Sequence, residues 1–483
     1  MKTGSTKLIT PRLQVLTEDQ KETLFLSVLE VLEHTGVRVD NDEGLELLSS
    51  AGARVGPQRR VHIPSYLVED ALACAPRRIT IYNRLGERVM FLEDRRVYFC
   101  SQTDSTFFFD PFDRIRRACV RADARPGAVV CDALPNIDMV SFSSLYSDVP
   151  GQIAIRIGHK DTVMNCTKPL MHGTGDFASL KAVAEMAAVV AGGWDELARR
   201  PYYVHYAEPF SPLIHTNEGV AKLLFCVEHG IPVIYTPMTL AGSSAPVTAA
   251  GNLAAYIAES LSGLVMAQLK KRGAPFVFGG VPTIIDMSTM LVSYGAPEMS
   301  LWSAALTEMA HYLHLPVFST AGCTDAVTFD QQAAAESAMS CLMAALSGAN
   351  LVHDVGFTEA ANSASLELIA ATDEFIGMIG CIMDGIEVTP ETLALEVIDR
   401  VGPGGSYFGE KHTVCHFRQN WFPSLLNRRN YEQWAAAGSL SLGDKANERV
   451  RRILREHQPE PLSPEVVAEL DKMEEHWWRE VSY

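Results

Sequence analysis

The chain has 483 residues, 47% hydrophobic and 20% charged, a composition that buries a large core and excludes a disordered protein. Its 41 basic side chains stand against 58 acidic ones, a formal net charge of -17 that repels nucleic acid and anionic membranes and welcomes a cationic ligand. The start, "MKTGSTKLITPRLQVL", holds no apolar core of signal-peptide length, and no apolar run reaches the roughly 20 residues that cross a bilayer. The 10 cysteines are scattered without a CxxC pair, as suits buried free thiols, so a cytoplasmic location is expected.

Three parts follow in chain order. Residues 1–95 read as a helical cap and hairpin. "TEDQKETLFLSVLEVLEHTG" has a Thr cap, helical apolar spacing and a closing Gly36. "NDEGLELLSSAG" and "PSYLVEDALACAP" repeat the form more briefly, and "ITIYNRLGERVMFLEDRRVYF" alternates as a small sheet does.

From 96 to 385 short apolar strands alternate with longer helices. Strands are predicted at 97–101, 137–143, 169–174, 202–208, 232–238, 275–280, 316–322 and 350–356. The junctions "HGIPV", "RGAPF" and "HLPV" punctuate repeated units with right-handed crossovers, and wholly apolar strands suit burial on both faces. Such a series predicts a (β/α)8 TIM-type barrel; no G-x-G-x-x-G opens a helix after a strand as a dinucleotide fold requires. Residues 386–483 form an extension with a glycine-rich loop, "GPGGSYFG", and two polar helices near 443–457 and 463–480.

In this fold chemistry gathers at the C-terminal strand ends. Those ends carry Gln102 and Asp104, Ser143 and Tyr146, His172 and Asp176, His205, Tyr206 and Glu208, Tyr235 and Met238, Thr320, Cys323 and Asp325, then His353 and Asp354. Alternation places Tyr206 and Glu208 on one face of their strand and His205 on the other. A strand histidine such as His205 or His353 is equally at home hydrogen-bonded in a core, and Glu208 could merely cap the next helix. Asp325 and Asp330 flank a helix start, where carboxylates are favoured for structural reasons. A metal-dependent barrel hydrolase would need His172, His205, His353 and Asp354 to converge. The early-strand H-x-H pair of such enzymes is absent, as are H-E-x-x-H, G-x-S-x-G and the phosphate-loop pattern. What remains is a mouth rich in Tyr and Phe with carboxylates nearby, a surface suited to quaternary ammonium groups.

Two long stretches, "STAGCTDAVTFDQQAAAESAMSCLMAALSGANLVHDVGF" and "GIEVTPETLALEVIDRVGPGGSYFGEKHTVCHFRQNWFPSLLNRR", together with "YAEPFSPL" and "LEHTGVRVDN", resemble the trimethylamine methyltransferase family over nearly the whole chain. The resemblance implies a (β/α)8 barrel that moves a methyl group from an amine to the Co(I) corrinoid of a separate partner protein, with no tightly bound cofactor. "PVFSTAGCTDA" is read through with ordinary amino acids where the archaeal trimethylamine enzymes carry pyrrolysine, which implies the branch acting on quaternary amines. Glycine betaine leads; proline betaine and carnitine are alternatives. From the strand ends, Glu208 and His353 are expected to be catalytic, and His172, Tyr206, Tyr235, Asp104, Asp354 and Phe357 to bind substrate, with no metal. A homo-oligomer is expected from the apolar helices. A metal-dependent barrel hydrolase is the alternative from another class, and a betaine-binding protein without catalysis is a third.

Overall fold

The computed structural model describes residues 10–141 and 144–481, so Ser143 of the second predicted strand lies outside the described residues. Eight parallel segments close a barrel. They are β1 (Tyr98–Ser101), β2 (residues 139–140), β3 (Leu170–Gly173), β4 (Tyr203–Ala207), β5 (Val233–Tyr235), β6 (Phe276–Gly279), β7 (Val317–Thr320) and β8 (Leu351–Val355). Seven form a continuous ladder from β1 through β8, β7, β6, β5 and β4 to β3. Closure is made by two single bridges, Cys100 to Met139 and Val140 to Leu170, which hold β2 between β1 and β3.

A helix follows each segment: α1 (Ala124–Ala133), α2 (Gly151–Met164), α3 (Phe177–Ala191), α4 (Asn217–His229), α5 (Ala249–Lys270), α6 (Pro297–Tyr312), α7 (Gln331–Ser347) and α8 (Leu366–Met383). Local chemistry sets their ends. Asp176 caps α3 by accepting from the Ser179 amide at 2.7 Å, and Asp330 caps α7 from the Gln332 amide at 2.9 Å. Gly192, Gly230 and Gly348 end α3, α4 and α7 in the left-handed conformation, the usual glycine C-cap.

The strand pleat sorts side chains into two cores. Met171, Val204, Ile234, Val277, Phe318 and Leu351 point inward and form one buried cluster with Tyr98 and Cys100. That cluster continues into Ile79, Ile81, Met90 and Leu92 of the hairpin Ile79–Tyr82/Arg88–Leu92, so the hairpin packs onto the barrel interior. Leu170, Tyr203, Val233 and Val352 point outward into the larger core shared with the helices.

The N-terminal helix Glu18–Glu30 starts on a Thr17–Gln20 capping box, and the strand Val37–Val39 pairs with Ile214–His215 in the loop after β4. At the other end, α9 (Leu442–Glu456) packs on α8, and α10 (Pro464–Val481) packs on α2 and α3. Charges pin α10: Lys160 reaches Glu474 at 2.6 Å and Arg121 reaches it at 2.5 Å. All ten cysteines are unpaired, seven of them buried. Among the described residues no helix is long and apolar enough to cross a membrane.

Candidate active site

The inner face of β4 runs Val204, Tyr206 and then Glu208 at the strand end. Tyr206 therefore stands over the barrel core, and its hydroxyl donates to Glu208 Oε1 at 2.7 Å. Its ring stacks on His353 of β8, with centroids 5.9 Å apart and planes 24° apart, and also meets Phe318 of β7 at 5.5 Å. The adjacent strands β7 and β8, with β4 reaching across the barrel, thus build an aromatic floor. His353 is held from two sides: Nδ1 is 3.2 Å from Thr320 Oγ1, and Nε2 is 2.9 Å from Asp354 Oδ1.

Simple alternation would send Asp354 to the helices. Instead β8 breaks register against β1 between Val352 and Val355, and Asp354 takes φ 80°. This bulge turns imidazole and carboxylate toward the same mouth. A non-glycine residue in that backbone region costs on the order of 1–3 kcal/mol and persists where the surroundings over-determine it. Gly356 follows at φ 105°, where a Cβ would collide with Ile369 and stand 3.1 Å from Gln102 Oε1. Buried here without a hydrogen bond are Asp354 Oδ1, whose approach to His353 is poorly aligned, and both amide atoms of Gln102. Unmatched buried polar atoms are rare in folded proteins, and a ligand group can satisfy them.

The carboxylate of Glu208 is open to the mouth yet ringed by protein. Burial raises its pKa, and the charge of Asp354 adds to that; the Tyr206 hydroxyl, Lys222 and His353 oppose it. Lys222, largely buried on α4, donates to the Thr174 carbonyl at 2.6 Å. Tyr294, in the loop before α6, is held well up in pKa by burial, then by the charges of Asp354, Cys323 and Glu208. Phe357 packs against Tyr294 in an apolar cluster with Cys323 and Met299. Asp104, exposed at φ 48°, brings Oδ2 to 3.9 Å from a Cβ built on Gly173, beside the Tyr206 ring.

So the fold brings Glu208, His353, Tyr206, Asp104, Asp354 and Phe357 to one end of the barrel. His172 and Tyr235 are not among them. His172 points outward between strand and helix, its Nδ1 2.6 Å from Nδ1 of His159 on α2, and burial lowers its pKa to about 3. Tyr235 also points outward, against Gly263 of α5, with its hydroxyl 2.9 Å from His215 Nδ1. Its neighbour Ile234 takes the inward place. His205 shares the outer face and sits 2.8 Å from the Tyr203 hydroxyl. The histidines a hydrolase metal would need therefore lie on opposite faces of the barrel wall. Tyr146 packs on Gly158 of α2, and Asp325 anchors the Tyr294 amide at 2.6 Å; both serve the frame.

Sequence reasoning missed Tyr294 and Lys222. After β6 the chain makes an antiparallel excursion, Val281–Asp286 with Leu291–Ser293, before supplying Tyr294. The Tyr-Gly-Ala-Pro-Glu run that leads into α6 is the available signal for where the chain re-enters the rim.

Residues 3–476 match the family described as trimethylamine methyltransferase (MTTB). A trimethylamine methyltransferase of Desulfitobacterium hafniense is 33% identical over 454 residues, 94% of this chain and 92% of that one. A glycine betaine methyltransferase of the same species, strain Y51, is 29% identical over 463 residues, 95% of this chain and 96% of the relative. In three dimensions the chain is similar to the Methanosarcina barkeri monomethylamine methyltransferase, with TM-score 0.55 at 10% identity, covering 92% of this chain and 89% of that one. The protein is a methyltransferase, and its chain belongs to the trimethylamine methyltransferase family.

Proposed function

We propose that the protein is a cytoplasmic enzyme that takes a methyl group from a quaternary amine, glycine betaine first, and delivers it to the corrinoid of a partner protein. The observation that carries this reading is the Tyr206–Glu208 pair: a carboxylate held at 2.7 Å by a phenol, open to a mouth floored by aromatic rings. A fixed cation is favoured by that carboxylate and by ring faces, each worth about 1–2 kcal/mol when desolvated. A protonatable amine would need its lone pair managed by an acid or base. A quaternary nitrogen needs neither, because it leaves as a neutral tertiary amine with the C–N bonding pair. The chain has an ordinary amino acid at every position, so no special residue activates the amine. That a relative at 29% identity is a glycine betaine methyltransferase supports the same substrate class.

The reduced cobalt of the corrinoid supplies the nucleophile that accepts the methyl group. This chain's residues bind and orient. Glu208 faces the ammonium, Tyr206 and Tyr294 flank it, and Asp104 and Asp354 add negative potential around it. Phe357 closes an apolar side. We assign the betaine carboxylate to the side of His353 and Gln102, whose amide has no protein partner. Holding the methyl carbon in line and excluding water is then the principal catalytic contribution. Loops around the strand ends expose Phe210, Val247, Met287, Met290, Leu291 and Val327, an apolar rim suited to a docking protein.

The test is a panel of methylamines and betaines incubated with the enzyme and free Co(I) cobalamin, followed by loss of the Co(I) absorbance. Glycine betaine should be consumed and yield dimethylglycine. Consumption of trimethylamine with no turnover of any betaine would overturn the substrate assignment. Preference for proline betaine or carnitine would keep the chemistry and change the side chain.

A further inference from the structure

Between α8 and Ser424, where Glu374 of α8 anchors the chain, no residue is buried. The helices Pro390–Leu393, Leu395–Val401, Lys411–His416 and Tyr431–Ala436 contain no buried residue, and Ile386, Val388 and Phe408 stand exposed. A segment that buries so little needs another staple, and metals are a common one in small units.

His412 and His416 lie one turn apart on Lys411–His416, with ring centroids 4.3 Å apart. Glu391 of Pro390–Leu393 faces them, Oε1 lying 3.3 Å from His416 Nε2. One donor atom from each of the three falls within 4.8 Å of the others. Zinc bonds of about 2.0–2.1 Å at a tetrahedral angle separate two ligand atoms by about 3.3–3.5 Å. The measured Glu391–His416 separation falls there. A plain ion pair between Glu391 and His416 would account for that one distance. It would not account for His412, which turns toward the same point and keeps Nε2 buried with no hydrogen bond.

We infer that Glu391, His412 and His416 form a divalent metal site. Two imidazoles and a carboxylate select zinc or a neighbouring late first-row ion over the oxygen-seeking magnesium and calcium. With three protein ligands, the fourth position is left for water. The site ties Pro390–Leu393 to Lys411–His416 beyond Met383. That is the far end of α8, whose first residue Leu366 directly follows the strand Ser363–Ser365 of the sheet containing Phe357. Its role is to fix this segment, and methyl transfer does not pass through it.

The experiment uses the untagged full chain, stripped with a chelator and titrated with zinc by calorimetry and with Co(II) by visible absorption. One equivalent should bind, the cobalt form should show the intense bands of a four-coordinate ion, and the melting temperature should rise with metal. His412→Ala and Glu391→Gln should each weaken binding at least 10-fold, and Glu208→Gln should leave it unchanged. Absence of stoichiometric binding by the unaltered chain, or affinity unmoved in the His412→Ala/His416→Ala double variant, would overturn the inference. Either result leaves the reading of the barrel mouth standing, because the readout is metal binding alone.

Discussion

The barrel wall carries two histidine–tyrosine clusters, back to back. Inside are His353, Tyr206 and Glu208; outside are His172, His205, Tyr203 and His159. Neighbouring residues on one strand, His205 and Tyr206, belong to different clusters. Outside, the partners are buried protein groups, and burial keeps His172 and His205 neutral by lowering their pKa. Inside, the same residue types meet carboxylates and an open mouth. Facing, set by the pleat, separates a packed frame from the candidate site; residue type does not.

The largest effect should come from breaking the inner cluster. Glu208→Gln should lower kcat/KM for the quaternary amine about 100-fold, the 2–3 kcal/mol of losing one member of a desolvated charge pair. Circular dichroism should be unchanged, since the group is open to the mouth. Unaltered kinetics would remove Glu208 from the site. The outer cluster should respond in the opposite sense. His172→Leu leaves His159 Nδ1 unmatched in the core and should cost about 1–3 kcal/mol in urea unfolding, with kinetics within a few fold of the parent. A collapse of kcat/KM at unchanged stability would reverse the assignment of inside and outside.

The pH profile sharpens the contrast further. Because the Glu208 pKa is raised, its proton returns at a higher pH than for an ordinary carboxylate, and the charge facing the cation is lost on that side. KM should therefore rise as pH falls toward mild acidity, and Glu208→Gln should flatten the curve. A profile equally steep in the variant would place the titrating group elsewhere. Smaller still, Asp354→Gly should relieve the strained backbone and stabilise the fold by about 1 kcal/mol while lowering activity. Loss of both stability and activity would mean that the Asp354 side chain holds β8 together.

Much of this was legible in the chain. Apolar strands punctuated by Gly and Pro predicted a barrel, and the alternation of Tyr206 and Glu208 against His205 needed no coordinates. The expectation for His172 and Tyr235 failed for a specific reason. Strands such as "PLMHGT" and "PVIYTPM" are apolar on both faces, so hydropathy carries no signal for which side is inner. Pairing supplies it: His172 lies beside His205 across β3 and β4, and both face the helices.

Local sequence determined element type, element ends and the relative facing of residues within one strand, because each depends on interactions a few residues long. Tertiary structure alone decided absolute facing, the bulge that turns Asp354 inward, and the arrival of Tyr294 from beyond an antiparallel excursion. Those depend on register between distant strands and on closure of the barrel, which no short window of the chain contains.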